Sequence, residues 1–499
     1  MLATIRSATL VGVWGHPVFV EVHVANGLPT FTVVGLPDAS CREARDRVRS
    51  AITSSRLEWP MHRVTVNLAP GDVHKAGAGL DFSIAIGLLI ASGQLSGDAA
   101  EDVGFLGEVG LDGSIRSVPG ALPLVDAIKA NTVVVSADDV EVARLVAGGH
   151  VRAVRTLREA YEALAKNSPW PDLPLPPKSV ATKESVDMAD ISGQPFARWG
   201  MEVAAAGGHH MLFVGPPGAG KTMLSRRLVG LLPDLTPDMA LEATRVHSAA
   251  GLPLPAGGLI TRPPMRAPHH SASMASLIGG TSKCRPGEAS CATGGVLFLD
   301  ELGEFAPSAL DALRQPLEEG MIRVSRAKGT IEHPARFLLV AAMNPCPCGA
   351  GGETGCRCNS AAVTRYQRRL SGPFVDRLDI VIHVDCPDPA DLLDVEGNEC
   401  SARIAERVRQ VRELSHDRGV NCNSELDGPQ LEEHAPLSDA AVKVLRKALT
   451  DGRMTARGLR RVRSVARTIR DLDDGGERIR DIDVLAAMSL RSRPQRVIS

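Results

Sequence analysis

The residues best suited to chemistry lie in a glycine-rich segment at 215–222, which has the sequence GPPGAGKT. It fits the pattern G-x-x-x-x-G-K-[ST] of a phosphate-binding loop. Glycines let successive backbone N–H groups point at phosphate oxygens, Lys221 places a positive charge against the β and γ phosphates, and Thr222 offers a hydroxyl to Mg²⁺. The residues expected to contact a nucleoside triphosphate are Gly215, Pro216, Pro217, Gly218, Ala219, Gly220, Lys221 and Thr222.

Two later segments end apolar stretches with residues that suit hydrolysis. GGVLFLDE places Asp300 and Glu301 after a predicted strand, where Asp300 would hold Mg²⁺ and Glu301 would polarise the attacking water. FLLVAAMN ends on Asn344, whose amide could position that water. An acidic strand cap or a turn-forming Asn is common in isolation. Together with the phosphate-binding loop, however, these residues predict a catalytic set.

Two arginines are candidates for γ-phosphate contacts. Arg377 in GPFVDRLDI follows a Pro-containing turn and could reach the nucleotide of a neighbouring subunit. Arg457 in TARG begins a predicted helix at 459–472, from which it could contact the nucleotide of its own subunit. The alternative for each is an ordinary surface charge. If a neighbour must supply an arginine, the active unit is an oligomeric ring.

Four cysteines form two C-x-C pairs separated by seven residues in a Gly-rich loop. Four thiolates suit tetrahedral Zn²⁺, and a closed four-cysteine shell would be structural. The alternative is four reduced thiols, since this spacing is tighter than the usual C-x₂-C. The first pair follows Asn344 closely, so a bound metal could hold that residue in place. The candidate ligands are Cys346, Cys348, Cys356 and Cys358.

Basic residues in two further segments are candidate nucleic-acid contacts. MIRVSRAKGTIEH predicts a hairpin with a basic tip, and RPPMRAPHHSASMASLIGG predicts a second loop. Their side chains could bind phosphates, although charged segments are usually solvated faces. We interpret His269 and His270 as fixing the second loop, because no nearby carboxylate or Cys pattern supports a metal site. The candidate contacts are Arg323, Arg326 and Lys328 in the hairpin, and Arg262 and Arg266 in the loop.

Bulk composition limits the classes of protein that fit. The chain has 499 residues, is 44% apolar and carries a net charge of −2, so any basic surface must be local. No apolar run approaches the roughly eighteen residues of a membrane span, and the N-terminus lacks a secretory signal. We therefore expect a cytoplasmic protein, in which ten cysteines do not form a disulfide framework.

Three regions separate on pattern, and they must position the candidate residues. Residues 1–167 mix strands and helices, and the proline-rich stretch within 168–189 predicts an extended linker. Residues 190–387 alternate short apolar strands with helices, which predicts an α/β core with a parallel sheet covered on both faces. Residues 388–499 contain amphipathic helical patterns, which predict a small helical lid domain.

The set GPPGAGKT, RAPHHSASMASLIGG, PGEASCATGGVLFLDE, AAMNPCPCG and SGPFVDRLDI resembles AAA+ ATPases of the magnesium-chelatase-like class, and within it the YifB/ComM family. NLAPGDVHKAG and GFLGEVGLDGSIRSVPGALP also resemble that family's N-terminal domain. The resemblance thus covers almost the whole chain. It implies ATP and Mg²⁺ as cofactors and a homo-oligomeric, hexameric ring. For the competence-associated member it implies a DNA helicase that drives branch migration in recombination, with DNA as the partner.

The N-terminal region also resembles the Lon-protease-like (S5 domain 2-like) α+β fold. Lon-type proteolysis needs a Ser nucleophile and a Lys base. The corresponding stretch at 75–79 is KAGAG and contains no Ser, and the segment after Val118 contains no Lys. Ser83 lies on the following predicted helix without a base. We therefore expect a scaffold or partner-binding domain, not a peptidase.

Three functions compete on this basis. A DNA-translocating ATPase that acts in recombination or transformation fits the motifs best. A metallochelatase motor subunit fits less well, because such a subunit resembles only the ATPase and lid regions. A protein-remodelling ATPase remains open, although arginines in the hairpin suit phosphates better than they suit polypeptide side chains.

Overall fold

The computed structural model describes residues 1–173, 186–280, 284–326, 329–350, 356–370, 372–386, 398–473 and 475–491. Within these ranges the chain forms a mixed N-terminal sheet, a parallel central sheet and a C-terminal group of helices. Residues 174–185 of the predicted linker lie outside the described part. No described helix is long and apolar enough to cross a membrane.

The N-terminal region is built on a seven-stranded sheet with the order β3-β4-β2-β1-β5-β8-β9. As expected for this region, strands alternate with helices. The helix Ala39–Ser54 buries one face, and the apolar helix Asp81–Ala91 is buried along its whole length. Strands of this region are β1 Leu2–Val11, β2 Trp14–Ala25, β3 Thr30–Val34, β4 Arg63–Ala69, β5 Val103–Phe105, β6 Glu108–Val109, β7 Ile115–Arg116, β8 Thr132–Ser136 and β9 Val151–Val154. Its helices are α1 Ala39–Ser54, α2 Asp81–Ala91, α3 Ala121–Ala127, α4 Val140–Ala147 and α5 Leu157–Leu164.

The central region contains a five-stranded parallel sheet with the order β11-β12-β15-β10-β16. Every residue of β10, β12 and β15 is buried, as their continuous apolar sequences predict for a sheet covered on both faces. The strands are β10 Met211–Val214, β11 Met265–Arg266, β12 Val296–Leu299, β15 Leu338–Met343 and β16 Ile380–His383, and the predicted hairpin is β13 Met321–Arg326 with β14 Gly329–Pro334. The helices are α6 Pro195–Gly207, α7 Lys221–Leu228, α8 Pro237–Ala250, α9 Met274–Ile278, α10 Glu288–Cys291, α11 Pro307–Ala312, α12 Arg314–Glu319, α13 Ser360–Arg368 and α14 Gly372–Val375.

The described C-terminal residues form helices and no strand, as expected for a lid. Ile404, Val408, Val462 and Val465 are buried in the same apolar cluster as Phe213 of the parallel sheet. The C-terminal helices and the parallel sheet therefore share one apolar core. The lid helices are α15 Ser401–Asp417, α16 Gly428–His434, α17 Asp439–Thr450, α18 Ala456–Asp473 and α19 Asp481–Ser489.

The N-terminal region packs against α8 of the central region. Val13 is buried in a cluster with Val246, Ala249 and Cys291. Arg245 carries its guanidinium 4.7 Å above the Trp14 ring and lies 3.0 Å from the Asp126 carboxylate. This interface also reaches the hairpin, because a Cβ at Gly12 would lie 2.5 Å from Ile331.

Candidate nucleotide-hydrolysis site

The predicted phosphate-binding loop joins β10 to α7, and all eight of its residues are described. Gly218 and Gly220 have φ of +84° each, a left-handed conformation that glycine adopts without steric cost. A Cβ at Gly215 would lie 2.0 Å from the carbonyl of Val384. The glycines are therefore required by backbone conformation and close packing, and they direct the loop into the N-terminus of α7.

Lys221 begins α7 and turns its side chain back across the loop. Its Nζ donates to the carbonyls of Gly215 and Pro216 at 2.7 and 2.8 Å, and to Oδ1 of Asn344 at 3.1 Å. Burial lowers the pKa of Lys221, while the nearby Asp300 charge opposes that shift. The ammonium group thus lies among oxygens at the point where phosphate oxygens are expected.

Asp300 lies beside the phosphate-binding loop, because β12 and β10 are both neighbours of β15 in the sheet. Thr222 Oγ1 donates to Oδ2 of Asp300 at 2.7 Å. A hydroxyl and a carboxylate oxygen in contact are hard ligands that fit Mg²⁺. The structure therefore brings together the two residues that the sequence predicts for magnesium.

Glu301 adopts a left-handed backbone conformation with φ of +52°, which is uncommon for a residue with a side chain. Its backbone N–H donates to Oδ1 of Asp300 at 2.9 Å. Its carboxylate oxygen Oε2 lies 2.8 Å from Nδ1 of His270. His270 therefore contacts a residue of the predicted catalytic set, which the sequence did not indicate.

One of the two predicted arginines pairs with Glu318, a residue that sequence reasoning missed. Arg377 is 5% exposed and forms an ion pair with the Glu318 carboxylate. Arg457 is exposed near the start of α18. The Arg377 hydrogen bond, and then the charges of Arg377 and Arg457, lower the pKa of Glu318 although burial opposes them.

A largely buried ion pair joins α18 to the residue that precedes β16 of the central sheet. Arg461 of α18 pairs with the Asp379 carboxylate and donates to the carbonyl of Arg377 at 2.9 Å. Burial raises the pKa of Asp379, but the charge of Arg461 and the nearby His209, whose Nδ1 is 3.8 Å away, hold it well below its usual range. Neither Arg461 nor Asp379 carries a sequence signal beyond its place next to a predicted segment.

The four predicted cysteines converge at one point. Their sulfur atoms all lie within 4.8 Å of one another. Cys346 Sγ is 3.4 Å from Cys348 Sγ and 3.8 Å from Cys356 Sγ, and the latter two are 3.6 Å apart. Zn–S bonds of about 2.3 Å in a tetrahedron place sulfur atoms roughly 3.8 Å apart. The donor set therefore fits zinc in chemistry and in spacing.

Among the predicted nucleic-acid contacts, the side chain of Arg262 is exposed. The other two described arginine side chains are paired with carboxylates. Arg266 is bound through two nitrogens to Glu288 at 2.6 and 2.9 Å, and Arg323 pairs with Glu319 and Glu332. The side chain of Arg326 and all of Lys328 lie outside the described residues.

Comparison with known proteins yields consistent matches over most of the chain. Residues 187–392 match the family described as "Magnesium chelatase, subunit ChlI", residues 20–139 match "Subunit ChlI of Mg-chelatase", and residues 398–491 match "Magnesium chelatase, subunit ChlI C-terminal". The chain is 42% identical over 481 residues to "Competence protein ComM" of Haemophilus influenzae, with 94% of each chain covered. It is 41% identical to "Uncharacterized protein YifB" of Escherichia coli, with 95% of this chain and 94% of that one covered.

The chain belongs to the YifB/ComM family of magnesium-chelatase-like proteins. This membership, with the parallel-sheet core, supports an ATPase-type motor of the AAA+ class, and it implies the use of ATP and Mg²⁺ and an oligomeric assembly. The chloroplastic magnesium-chelatase subunit ChlI of Chlamydomonas reinhardtii is more distant. It is 27% identical over 156 residues, which cover 27% of this chain and 37% of that one.

Proposed function

We propose that the protein hydrolyses ATP at this site. The proposal rests on the convergence of Lys221, Asp300 and Asn344 at the carboxyl ends of neighbouring parallel strands. Lys221 would exchange its carbonyl partners for oxygens of the β and γ phosphates. Thr222 and Asp300 would hold Mg²⁺, which neutralises phosphate charge when bound.

Glu301 and Asn344 would prepare the water for attack on the γ phosphorus. Glu301 would accept a proton from the water as the water oxygen bonds to the γ phosphorus. The bond from that phosphorus to the β–γ bridging oxygen breaks, and ADP leaves. Asn344 already contacts Lys221 through its amide oxygen, so its amide lies beside the expected γ phosphate. This is catalysis by positioning and electrostatic stabilisation.

Turnover of ATP by purified protein tests this assignment. Lys221→Ala should abolish nucleotide binding or lower turnover by about a hundredfold or more, because a charge in contact with phosphate is lost. Lys443→Ala, an exposed lysine on α17, is the matched control and should leave turnover unchanged. Equal turnover in wild type and Lys221→Ala would overturn the site.

We propose that the motor translocates on DNA and acts in branch migration during recombination or transformation. Similarity to a protein named for competence supports this function. Among the described residues, the exposed Arg262 also supports it, because its positive charge can bind nucleic-acid phosphates. An alternative is protein remodelling, which the pairing of Arg323 with two carboxylates favours, because that side chain then offers little net charge to phosphates.

Single-stranded and branched DNA distinguish these functions. The ATPase rate should rise on addition of DNA, and the binding measured by fluorescence anisotropy should weaken steeply between about 50 and 200 mM salt. Arg262→Ala should reduce affinity without changing the rate in the absence of DNA. Stimulation by unfolded protein, with none by DNA, would establish the remodelling alternative.

We propose that the oligomer is a hexameric ring in which Arg377 and Arg457 contact γ-phosphate. In the isolated subunit Arg377 pairs with Glu318, and it would exchange that carboxylate for the nucleotide of a neighbouring subunit. The exposed Arg457 would reach the nucleotide of its own subunit. Light scattering with a non-hydrolysable ATP analogue should give the mass of six subunits. Arg377→Ala should then lower turnover at unchanged ATP affinity, whereas loss of the ring in that variant would make the role of Arg377 structural.

We propose that the four-cysteine cluster holds one structural Zn²⁺ that braces the nucleotide site. Cys346 is two residues from Asn344 and is buried. The turn of the cluster packs on the phosphate-binding loop, because a Cβ at Gly349 would lie 2.7 Å from Cδ of Pro217. A metal at this point would restrain both Asn344 and the loop.

Metal analysis of the purified protein tests the zinc site. Wild type should contain one zinc per chain, and Cys348→Ser with Cys356→Ser should contain none. Cys284→Ser with Cys400→Ser is the matched control, because neither cysteine belongs to the cluster. Wild-type protein purified without chelator and free of zinc would contradict the proposal.

We propose that the N-terminal domain, with its Lon-protease-like resemblance, is a scaffold and not a peptidase. Ser83 is completely buried and donates to the carbonyl of Phe105. Lys75 is also completely buried and donates to the carbonyl of Pro70. The two side chains thus bond to different backbone carbonyls, and this arrangement supports no Ser–Lys dyad.

A further inference from the structure

The turn between β1 and β2 is buried at its tip, although turns of this kind usually face solvent. It consists of Gly12 and Val13, since Val11 and Trp14 form the last pair of the two strands. Val13 is completely buried and lies in an apolar cluster with Val246 of α8. The N-terminal domain therefore inserts this turn into the central region.

Polar contacts fix the N-terminal domain on α8. The backbone N–H of Gly120 donates to the carbonyl of Ser248 at 2.8 Å, and the N–H of Leu122 donates to Oγ of the same serine at 3.3 Å. Arg245 pairs with Asp126 at 3.0 Å. These directional bonds set the position of the β1–β2 turn relative to α8.

The other side of the turn meets one face of the hairpin β13–β14. Gly12 has φ of +67°, and a Cβ there would lie 2.5 Å from Cγ2 of Ile331 and 3.0 Å from Cε1 of His333. These two residues share one face of β14, because successive side chains of a strand alternate. The opposite face carries the exposed ion pair of Arg323 with Glu332. The turn thus packs on the less polar face and leaves the charged face open to solvent.

The turn meets the hairpin by packing alone. Within the described residues, no hydrogen bond or ion pair joins residues 1–173 to β13 or β14, and neither ring nitrogen of the buried His333 has a partner. Such a contact resists compression, because packed atoms cannot overlap, but it weakens quickly once the surfaces separate. The turn therefore blocks movement of the hairpin towards the N-terminal domain and offers little resistance in the opposite direction.

The hairpin is connected to the nucleotide site at both of its ends. Strand β13 follows α12, which carries Glu318, the partner of Arg377. Strand β14 leads into β15, and Asn344 follows the end of β15. Exchange of nucleotide at these residues would therefore displace the hairpin relative to α8.

We propose that the N-terminal domain is a mechanical stop for the hairpin and acts through it in the movement of DNA. The inference rests on the proposed ATP hydrolysis and on the proposed contact of the hairpin with DNA. Because the β1–β2 turn is anchored on α8, it limits how far the hairpin swings towards the N-terminal domain. Each hydrolysis event then moves the hairpin, and the DNA bound to it, over a defined path. The domain couples hydrolysis to DNA movement and takes no part in hydrolysis itself.

Gly12→Ala tests the stop in the full-length protein. The new Cβ would overlap Cγ2 of Ile331, so the hairpin must shift away from the turn. Gly93→Ala is the matched control, because Gly93 also lies in the N-terminal domain with φ of +80°, and no atom lies within 4 Å of its new Cβ. Adding Ile331→Ala to Gly12→Ala removes the overlapping methyl group. This double variant separates packing on the hairpin from strain in the turn.

Hydrogen exchange and ATPase rates measure the two parts of the proposal. Exchange of the β13 and β14 amides should be about fivefold faster or more in Gly12→Ala than in wild type, because the displaced hairpin opens more often. The ATPase rate without DNA should be unchanged, whereas stimulation by single-stranded DNA should fall by about fivefold or more. Gly93→Ala should match wild type, and the double variant should regain stimulation.

The outcomes separate the stop from the proposed function. Unchanged exchange in the hairpin of Gly12→Ala, or no recovery in the double variant, overturns the stop. Faster exchange with full stimulation by DNA overturns its role in coupling, and so does a loss of hydrolysis without DNA. If wild type hydrolyses ATP without stimulation by DNA, the DNA function fails. If wild type does not hydrolyse ATP, the hydrolysis site fails, and in both cases hydrogen exchange still decides whether the turn restrains the hairpin.

Discussion

At the scale of single residues, the nucleotide site depends on contacts between side chains that lie far apart in the sequence. Lys221 meets Asn344, Thr222 meets Asp300, and Glu301 meets His270. The first two contacts follow from motifs that name their own residues. The third contact had no such motif, since a histidine in a loop is compatible with many roles.

Glu301→Gln should separate ATP binding from hydrolysis. The amide keeps the size of the side chain but is a poor proton acceptor, so turnover should fall by about a hundredfold or more at nearly unchanged ATP affinity. Steady-state ATPase rates and binding of a fluorescent ATP analogue measure the two quantities. A parallel loss of binding would show that Glu301 acts on nucleotide affinity and not on the water.

Gly349→Ala should weaken ATP binding severalfold through the phosphate-binding loop. The new Cβ would lie 2.7 Å from Pro217 Cδ, so the loop must shift, and φ of +86° adds strain of about 1 kcal/mol. Gly77→Ala is the matched control, because its φ is +84° and no atom lies within 4 Å of the new Cβ. Titration with a fluorescent ATP analogue checks the affinity, and equal affinities in the two variants would contradict the packing argument.

At the scale of elements, buried charges join the lid to the sheet. Apolar periodicity places α18 on the core, but its angle is also set by Arg461, which bonds Asp379 and the carbonyl of Arg377. Such a contact cannot be predicted from periodicity, since the pattern identifies which face is buried and not which polar partner it meets. The same ion pair holds the backbone next to a proposed γ-phosphate contact.

Arg461→Ala should destabilise the protein by about 3–5 kcal/mol, because it leaves the Asp379 carboxylate buried without its charged partner. Thermal unfolding should show a clear drop in midpoint. Arg409→Ala, which removes an exposed ion pair with Glu406 and Glu413, should change stability by less than about 1 kcal/mol. Similar midpoints for the two variants would show that the Asp379 pair contributes little.

At the scale of the whole molecule, the N-terminal region packs on both α8 and the hairpin. His333 of the hairpin is completely buried near Gly12, and within the described structure neither ring nitrogen has a hydrogen-bond partner. Burial lowers the pKa of His333 to about 4. The packing of the two regions thus requires the neutral imidazole.

Acid should therefore destabilise this arrangement. The unfolded chain takes up a proton on His333 near pH 6.5, whereas the folded protein takes it up only near pH 4. Protonation therefore favours unfolding, and about 3 kcal/mol of stability that is present above pH 6.5 is lost as the pH falls towards 4. Urea unfolding at several pH values between 7.5 and 4.5 measures the slope. His333→Leu should reduce this slope, and the remainder should include the half-buried His210, whose pKa desolvation also lowers to about 4. An unchanged slope in His333→Leu would exclude His333 as a source.

The sequence by itself determined the elements and residues that depend on local pattern. Glycines required by backbone conformation, apolar strands and amphipathic helices specify the phosphate-binding loop, the parallel sheet and the lid, because each signal lies within a short stretch. Only the tertiary structure decided that Arg377 pairs with Glu318, that Asp379 pairs with Arg461 of α18, and that His270 reaches Glu301. These contacts join residues brought together by chain topology, and no local propensity encodes which distant charge a buried or exposed side chain will meet.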